Sequence, residues 1–212
     1  MSDAKRDLFR KLKGKIRSKA VLDAMENVPR ERFVPPEVSH LAYLDIPLPI
    51  GAGQTISQPF IVAMMTEALE LCGNERVLEV GTGSGYQAAV LSRLLHHGHL
   101  ITVERVPALQ ERAEALLAEL GYNNVTVELA GPTLGAPHHG PFDAIIVTAA
   151  SPQVPDSLVS QLAIGGRMVI PVGTREDQEL VRVLRTEEGI SVRWLGPCRF
   201  VPLIGTEAFP DR

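Results

Sequence analysis

The chain has 212 residues, 45% of them hydrophobic and 22% charged, the balance of an ordinary globular protein with one sizeable core. Its net charge of −4 excludes the strongly basic footprint of a general nucleic-acid binder, and no apolar run is long enough to span a bilayer, so neither a nucleic-acid nor a membrane partner is expected. The charged start lacks the apolar stretch of a signal peptide, and the only cysteines, Cys72 and Cys198, lie far apart without metal-binding spacing; a cytoplasmic setting is expected, with both as small buried hydrophobes.

From Ala4 to Val28 the sequence predicts one helix. Leu8, Leu12 and Ile16 recur at spacings of four, Val21, Leu22 and Met25 extend the apolar face, and Pro29 stops it. The opposite face carries Lys5, Arg6, Arg10, Lys11, Lys13, Lys15, Arg17 and Lys19 and reads as a solvated surface, with a membrane or an acidic partner as the other reading. From Pro29 to Pro59, further prolines at 35, 36, 47 and 49 break every long period. Phe33, Val34, Leu41, Tyr43, Leu44, Ile46, Leu48 and Ile50 nonetheless keep the stretch apolar, so it is expected to pack as a cover over a site.

A helix is predicted from Pro59 to Leu71, and then a regular alternation begins. Arg76–Val80 reads as a strand ending at a glycine loop, Tyr86–His97 as a helix, Leu100–Glu104 as a strand and Pro107–Leu120 as a helix closed by Gly121. Strands follow at Val125–Leu129 and Asp143–Thr148, then a helix at Val154–Leu162 ended by Gly165-Gly166, then a strand at Arg167–Pro171. Strands alternating with helices predict an α/β fold, a mostly parallel sheet with helices on both faces. After Gly173 the pattern changes to strands at Glu179–Leu184 and Ile190–Leu195 around a turn at Glu187-Glu188-Gly189. Cys198–Ile204 is read as a final strand, confined by Pro202 to an edge or an end.

The first strand runs into Gly81-Thr82-Gly83-Ser84-Gly85. A glycine turn between strand and helix lets a ligand approach the backbone and the free N–H groups of the helix start. The spacing here is GxGxG, whereas the wider GxGxxG suits a pyrophosphate. Glu79, just before the loop, would repel a pyrophosphate and suit an ammonium group. Glu104 ends the second strand, where an acid can accept hydrogen bonds from both ribose hydroxyls. S-adenosyl-L-methionine carries an amino group, a ribose and a sulfonium, and no phosphate. The expected cofactor is therefore S-adenosyl-L-methionine, held by Glu79, Gly81, Thr82, Gly83, Ser84, Gly85 and Glu104 in a Rossmann-like methyltransferase fold; a nicotinamide-binding domain loses on loop spacing. Ahead of the sheet, Thr55, Ser57 and Gln58 precede a helix, and Ser57 reads as its N-cap with Pro59 in the first turn.

Several segments in order resemble one family: Pro29-Arg-Glu-Arg-Phe-Val34, Leu48-Pro-Ile-Gly51, Gly53-Gln-Thr-Ile-Ser-Gln-Pro59, Arg76-Val-Leu-Glu-Val-Gly-Thr-Gly-Ser-Gly-Tyr-Gln87, Pro141-Phe-Asp-Ala-Ile-Ile-Val-Thr-Ala-Ala150 and Arg199-Phe-Val-Pro-Leu203. Together they look like protein-L-isoaspartate O-methyltransferase. The resemblance implies a protein repair enzyme that methylates the free α-carboxylate of L-isoaspartyl residues, with isoaspartyl proteins and peptides as partners. It implies Ser57 as the active-site hydroxyl and Thr55, Ile56, Arg199, Phe200 and Val201 as substrate contacts. A monomer is expected. One domain is expected over 1–212, with residues 1–75 as N-terminal helix and substrate cover, 76–173 as the cofactor-binding core and 174–212 as C-terminal strands. A carboxylate is already nucleophilic at neutral pH, so the reaction needs placement rather than a strong base. Ser57 then acts as a positioning donor.

Gly131 stands where the family has an aspartate that contacts the adenine amino group, and Ala136 replaces a usual tryptophan. That loss predicts weaker cofactor binding, by about 1 kcal/mol. It leaves open a relative that binds without efficient transfer, or a methyltransferase for another substrate. His138 and His139 lie in the same altered loop, and His96, His97 and His99 form another small group. Neither has cysteine or carboxylate spacing around it, so no metal is expected.

Overall fold

The computed structural model describes residues 3–211. The N-terminal stretch is two helices, α1 (Asp3–Lys13) and α2 (Lys19–Asn27), and not the single one its periodicity predicts. The break follows Gly14, which offers a helix no side chain to pack. The side chain of Ser18 then caps α2 by accepting from Val21 N at 3.3 Å. Glu67, distant in sequence, receives the freed amides of Arg17 and Ser18 at 2.7 and 2.6 Å. Leu8, Phe9, Leu12, Val21, Leu22 and Met25 still face the core, as the spacing demands. The basic side chains lie outward, and Asp7 pairs with Arg10 and Lys11.

The proline-rich stretch is packed. It holds 3₁₀ turns at Arg30–Phe33 and Pro36–Leu41 and a hairpin of β1 (Leu48–Gly51) and β2 (Gln54–Ile56). The hairpin tip, Ala52-Gly53, has positive φ at both residues, the geometry a two-residue antiparallel turn requires. Leu48, Ile50 and Ile56 point inward from it and are buried.

Helix α3 (Pro59–Ala68) leads to the sheet. The chain then runs through β3 (Arg76–Val80), α4 (Tyr86–Leu94), β4 (His99–Glu104), α5 (Pro107–Glu119), β5 (Val125–Leu129), β6 (Phe142–Val147), α6 (Asp156–Ser160), β7 (Leu162–Gly173), β8 (Gln178–Thr186) and β9 (Gly189–Cys198). The seven strands lie in the order β5-β4-β3-β6-β7-β8-β9. Strands β3 to β7 pair in parallel, and β8 and β9 add antiparallel at one edge. This is the Rossmann-like arrangement. The strand order reverses between β3 and β6, and ligands of open α/β sheets bind at the carboxyl ends beside such a switch.

Successive strand residues feed opposite layers. Val77, Leu100, Ala144, Ile146 and Val169 join the core under α1 to α5. Leu78, Ile101, Ile145, Val147, Met168 and Ile170 join a second core closed by Leu158 of α6, Ala136 and Leu203. Strand β7 begins at Leu162 and absorbs Gly165-Gly166, which the sequence offers as helix-ending residues. A Cβ at Gly166 would lie 2.8 Å from Ala163 O and 3.1 Å from Phe142 O, so this glycine permits a close approach within the irregular β6–β7 register. The described residues beyond Cys198 form no strand. Ala150 N donates to Val201 O at 2.8 Å and Leu203 N to Ala150 O at 2.7 Å, so this segment lies beside the chain leaving β6. The cysteines also depart from expectation: Cys72 is exposed and Cys198 is half-buried.

Candidate active site

The end of β3 turns sharply at Gly81, Gly83 and Gly85, whose φ angles are 101°, 56° and 85°. These left-handed conformations favour glycine. Gly81 is further constrained, because a Cβ there would lie 2.3 Å from Thr148 Oγ1. Thr148, just past β6, donates its hydroxyl to Gly81 O at 2.6 Å and its amide to Val80 O at 3.0 Å. The loop is thus fixed from both neighbouring strands, since Gly81 N and Thr82 N also donate to Val103 O of β4.

Two acids flank this loop. The Glu104 carboxylate accepts from Gly83 N at 2.8 Å and from Val106 N at 3.0 Å, one bond to each oxygen. Each oxygen keeps a further lone pair, enough for a pair of hydroxyl donors. Glu79 is completely buried, and its Oε2 accepts from Thr102 Oγ1 at 2.6 Å, while Thr102 Oγ1 in turn meets Thr82 Oγ1 at 2.7 Å. Its other oxygen, Oε1, has no hydrogen-bond partner in the protein. Burial pushes this carboxyl up to about 8; the Thr102 hydroxyl opposes the rise and the nearby Glu104 carboxylate adds to it. A buried acceptor left over at a cavity wall calls for a donor from a ligand, and an ammonium group would also restore the charged form.

The cavity beside the loop has a volume of about 370 Å³. Its floor is Glu79, Gly81, Thr82, Gly83, Ser84 and Glu104; one wall is Gly131 with its neighbours, and its cover is Thr55, Ile56 and Ser57 from the hairpin and Val201 from the C-terminal segment. Of the residues the sequence singles out, Gly85, Arg199 and Phe200 do not line it. Gly85 serves helix packing: a Cβ there would sit 3.4 Å from Ala113 and Leu117 of α5. Arg199 is exposed on the surface. Phe200 is held by Gln178, which accepts from its amide at 2.7 Å and donates to its carbonyl at 3.2 Å. The anchored Phe200 thereby supports the segment that presents Val201, Pro202 and Leu203.

Ser57 does not cap α3. The N-cap is Gln58, without a side-chain bond, and Asp45 Oδ1 reaches across to accept Phe60 N at 2.8 Å instead. The Ser57 hydroxyl makes no hydrogen bond within the described residues and stands at the cavity wall. Its carbonyl accepts from Arg30 Nη2 at 2.8 Å, and Arg30 Nε donates to Ala42 O at the same distance. The Arg30 guanidinium lies 4.7 Å from the centroid of the Tyr86 ring, itself edge-on to Phe33. Sequence reasoning places Arg30 within a motif but assigns it no role, and Thr148 shows only as the last residue of an apolar strand.

A model of the family described as protein-L-isoaspartate(D-aspartate) O-methyltransferase matches residues 3–208. The chain belongs to the protein-L-isoaspartate O-methyltransferase family. It is 53% identical over 211 residues to a protein-L-isoaspartate O-methyltransferase of Ignicoccus hospitalis, covering 98% of this chain and 100% of the relative. It is 58% identical over 191 residues to one of Anaeromyxobacter dehalogenans, covering 89% and 90%. A solved protein-L-isoaspartate O-methyltransferase superposes with a TM-score of 0.87 at 30% identity, over 96% of this chain and 67% of the other. A candidate member from Plasmodium falciparum, solved with S-adenosyl-L-homocysteine, gives 0.80 at 25% identity over 94% and 98%. As a member of this family the chain is a methyltransferase and its cofactor is S-adenosyl-L-methionine. The orphaned Glu79 oxygen, the glycine turn and the doubly accepting Glu104 fit that cofactor in both charge and hydrogen bonding.

Proposed function

We propose that this cavity transfers the cofactor's methyl group to the free α-carboxylate of L-isoaspartyl residues in aged proteins, with Ser57 as the hydroxyl that positions the acceptor. When bound, the cofactor supplies an electrophilic methyl group on a sulfonium. Glu79 would hold its amino group, Glu104 its ribose hydroxyls and Gly131 with its neighbours would border its adenine. The observation that carries the reading is the pairing of Ser57 and Glu79 in one cavity, each with hydrogen-bonding capacity that the protein leaves unused.

The remaining chemistry asks little of the chain. The acceptor is an ionised carboxylate and needs no base. Its approach must be fixed, and water excluded, because charge is lost as anion and cation combine. The hairpin carries Thr55, Ile56 and Ser57 over the cavity, and Arg30 holds Ser57 by its backbone, so the hydroxyl stays free to donate. Val201 and the turn of residues after it close the other side. Residues 1–75 would thus serve as substrate cover, 76–173 as cofactor site and 174–212 as support for the covering segment.

On the same reading the protein acts in the cytoplasm as a monomer, on proteins and peptides, without nucleic-acid or membrane partners. The net charge of −4 supports the absence of a nucleic-acid partner, and no helix among the described residues is long and apolar enough to cross a membrane. Light scattering of the purified chain checks the monomer. For the reaction, labelled S-adenosyl-L-methionine is incubated with two peptides that differ only in aspartyl or isoaspartyl linkage. Base-labile methylation of the isoaspartyl peptide alone is expected; binding without transfer, or transfer only to another substrate, would overturn the assignment.

A further inference from the structure

Residues 130–135 form one wall of the cavity, and the segment then runs through Ala136 to the turn before β6. At its two ends the fold brings together side chains that are distant in sequence: Glu128 on β5, and the consecutive His138 and His139 in the 3₁₀ turn Pro137–His139. His139 Nε2 lies 2.7 Å from Glu128 Oε1, and His138 Nε2 lies 3.4 Å from Glu128 Oε2. The two imidazole centroids are 4.2 Å apart with their planes inclined by 45°. One potential ligand atom from each residue falls within 4.8 Å of the other two.

We propose that Glu128, His138 and His139 bind one divalent transition-metal ion, with zinc the best match. Zinc bonds to imidazole nitrogen and carboxylate oxygen are about 2.1 Å long, which sets adjacent ligand atoms roughly 3 to 3.5 Å apart. The two separations from Glu128 lie close to that spacing. Two nitrogens and one oxygen are a donor set for zinc; calcium and magnesium require oxygens, and cuprous copper prefers sulfur. A lone hydrogen bond to Glu128 would use one imidazole, whereas this arrangement turns the same ring nitrogen of both toward one carboxylate. Arg76 Nε donates to His139 O at 2.7 Å and so fixes the turn that carries the pair. The side chains of Glu128 and His139 are each 29% exposed and that of His138 is 67% exposed, which leaves an entry path and room for a water ligand. The bound ion would join the strand before segment 130–136 to the turn after it, stapling a wall of the cofactor cavity from outside the active site. The sequence hides this group because the carboxylate comes from β5, before the loop that carries both histidines.

The test is a calorimetric titration of zinc chloride into the full chain after chelator treatment, followed by cobalt(II) with its visible spectrum as a second probe. One ion per chain is expected, together with a raised thermal midpoint in its presence. Glu128→Gln, His138→Ala and His139→Ala should each weaken binding by about tenfold or more. His138 is largely exposed, so its variant keeps the fold, which circular dichroism checks. Lack of saturable zinc binding to the unaltered chain, or unchanged affinity in any one of the three variants, would overturn the proposal.

Discussion

Arg30 Nη2 donates to the carbonyl of Ser57 at 2.8 Å, and this bond ties a residue with no access to solvent to one at the cavity wall. Burial holds the Arg30 guanidinium below its ordinary pKa, and the Tyr86 ring at its face counters that effect. The forked donor spans two carbonyls, Ala42 O and Ser57 O, and so locks the proline-rich cover to the hairpin. Removing it should cost about 3 kcal/mol, since charge-assisted bonds contribute roughly 1.5 to 3 kcal/mol each and the freed carbonyls stay partly buried. Arg30→Met is therefore expected to lower the thermal midpoint and kcat, with little change in cofactor affinity. Arg30→Lys should not restore kcat, because a point-like ammonium cannot reproduce the fork. Thermal unfolding together with a kcat and KM series on both variants checks this; full activity in Arg30→Lys would show that the fork is not needed.

Ser57→Ala removes a cavity-wall hydroxyl that makes no hydrogen bond within the described residues. The fold should not notice, because Asp45 and not Ser57 caps α3. Turnover on an isoaspartyl peptide should fall by about tenfold or more, the worth of one well-placed donor, while the Kd for S-adenosyl-L-homocysteine stays the same. Wild-type turnover would remove Ser57 from the mechanism.

The parts of the site legible in the sequence are those that local rules govern. Glu79, the glycine turn and Glu104 follow from strand ends in an alternating pattern, and the turn demands glycine wherever φ is positive. The remainder depends on partners far along the chain. The helix break after Gly14 is completed by Glu67, and the cap of α3 comes from Asp45. Arg199 is a charged residue within a characteristic motif, yet it lies at the surface, and the neighbouring backbone at Val201 reaches the cavity. A β-hairpin whose first strand contains Pro49 offers no alternating pattern to read, although Leu48 and Ile50 point inward as a strand requires. Strand order likewise is a tertiary fact, so the nearness of Thr148 to Gly81 has no sequence signal.

If Glu79 meets the cofactor's amino group, cofactor binding should depend on pH. Its carboxyl is pushed up to about 8 by burial, with Thr102 opposing and Glu104 reinforcing the shift, so at neutral pH the ligand-free site is mostly protonated. Binding an ammonium group favours the carboxylate, and a proton must leave. Affinity for S-adenosyl-L-homocysteine, which has the amino group without the sulfonium, should rise about tenfold per pH unit below 8 and level off above it. Near pH 7 close to one proton per cofactor should be released, as measured by calorimetry in two buffers of different ionisation enthalpy. The stability of the ligand-free protein should follow the opposite trend. A folded-state pKa raised above the ordinary glutamate value gives stability that is complete below that value and lost as pH climbs through about 8. Glu79→Gln should flatten both curves; an unchanged affinity profile would mean that Glu79 does not meet the amino group.

Gly131 offers a gain-of-function test at the other end of the cofactor. It lines the cavity, its φ is not positive, and a Cβ built on it meets nothing within 4 Å. An aspartate can therefore enter without strain, unlike a side chain at Gly81, which would collide with Thr148. If the adenine amino group faces this wall, the new carboxylate supplies the acceptor that the family resemblance leads one to expect there. Gly131→Asp should then tighten S-adenosyl-L-methionine binding by about 1 kcal/mol, roughly fivefold in Kd. The gain should appear in KM for the cofactor and leave KM for the isoaspartyl peptide unchanged, because the added carboxylate is aimed at the adenine and not at the acceptor. Unaltered cofactor affinity in a folded variant would show that this position does not limit binding and would move the adenine away from Gly131.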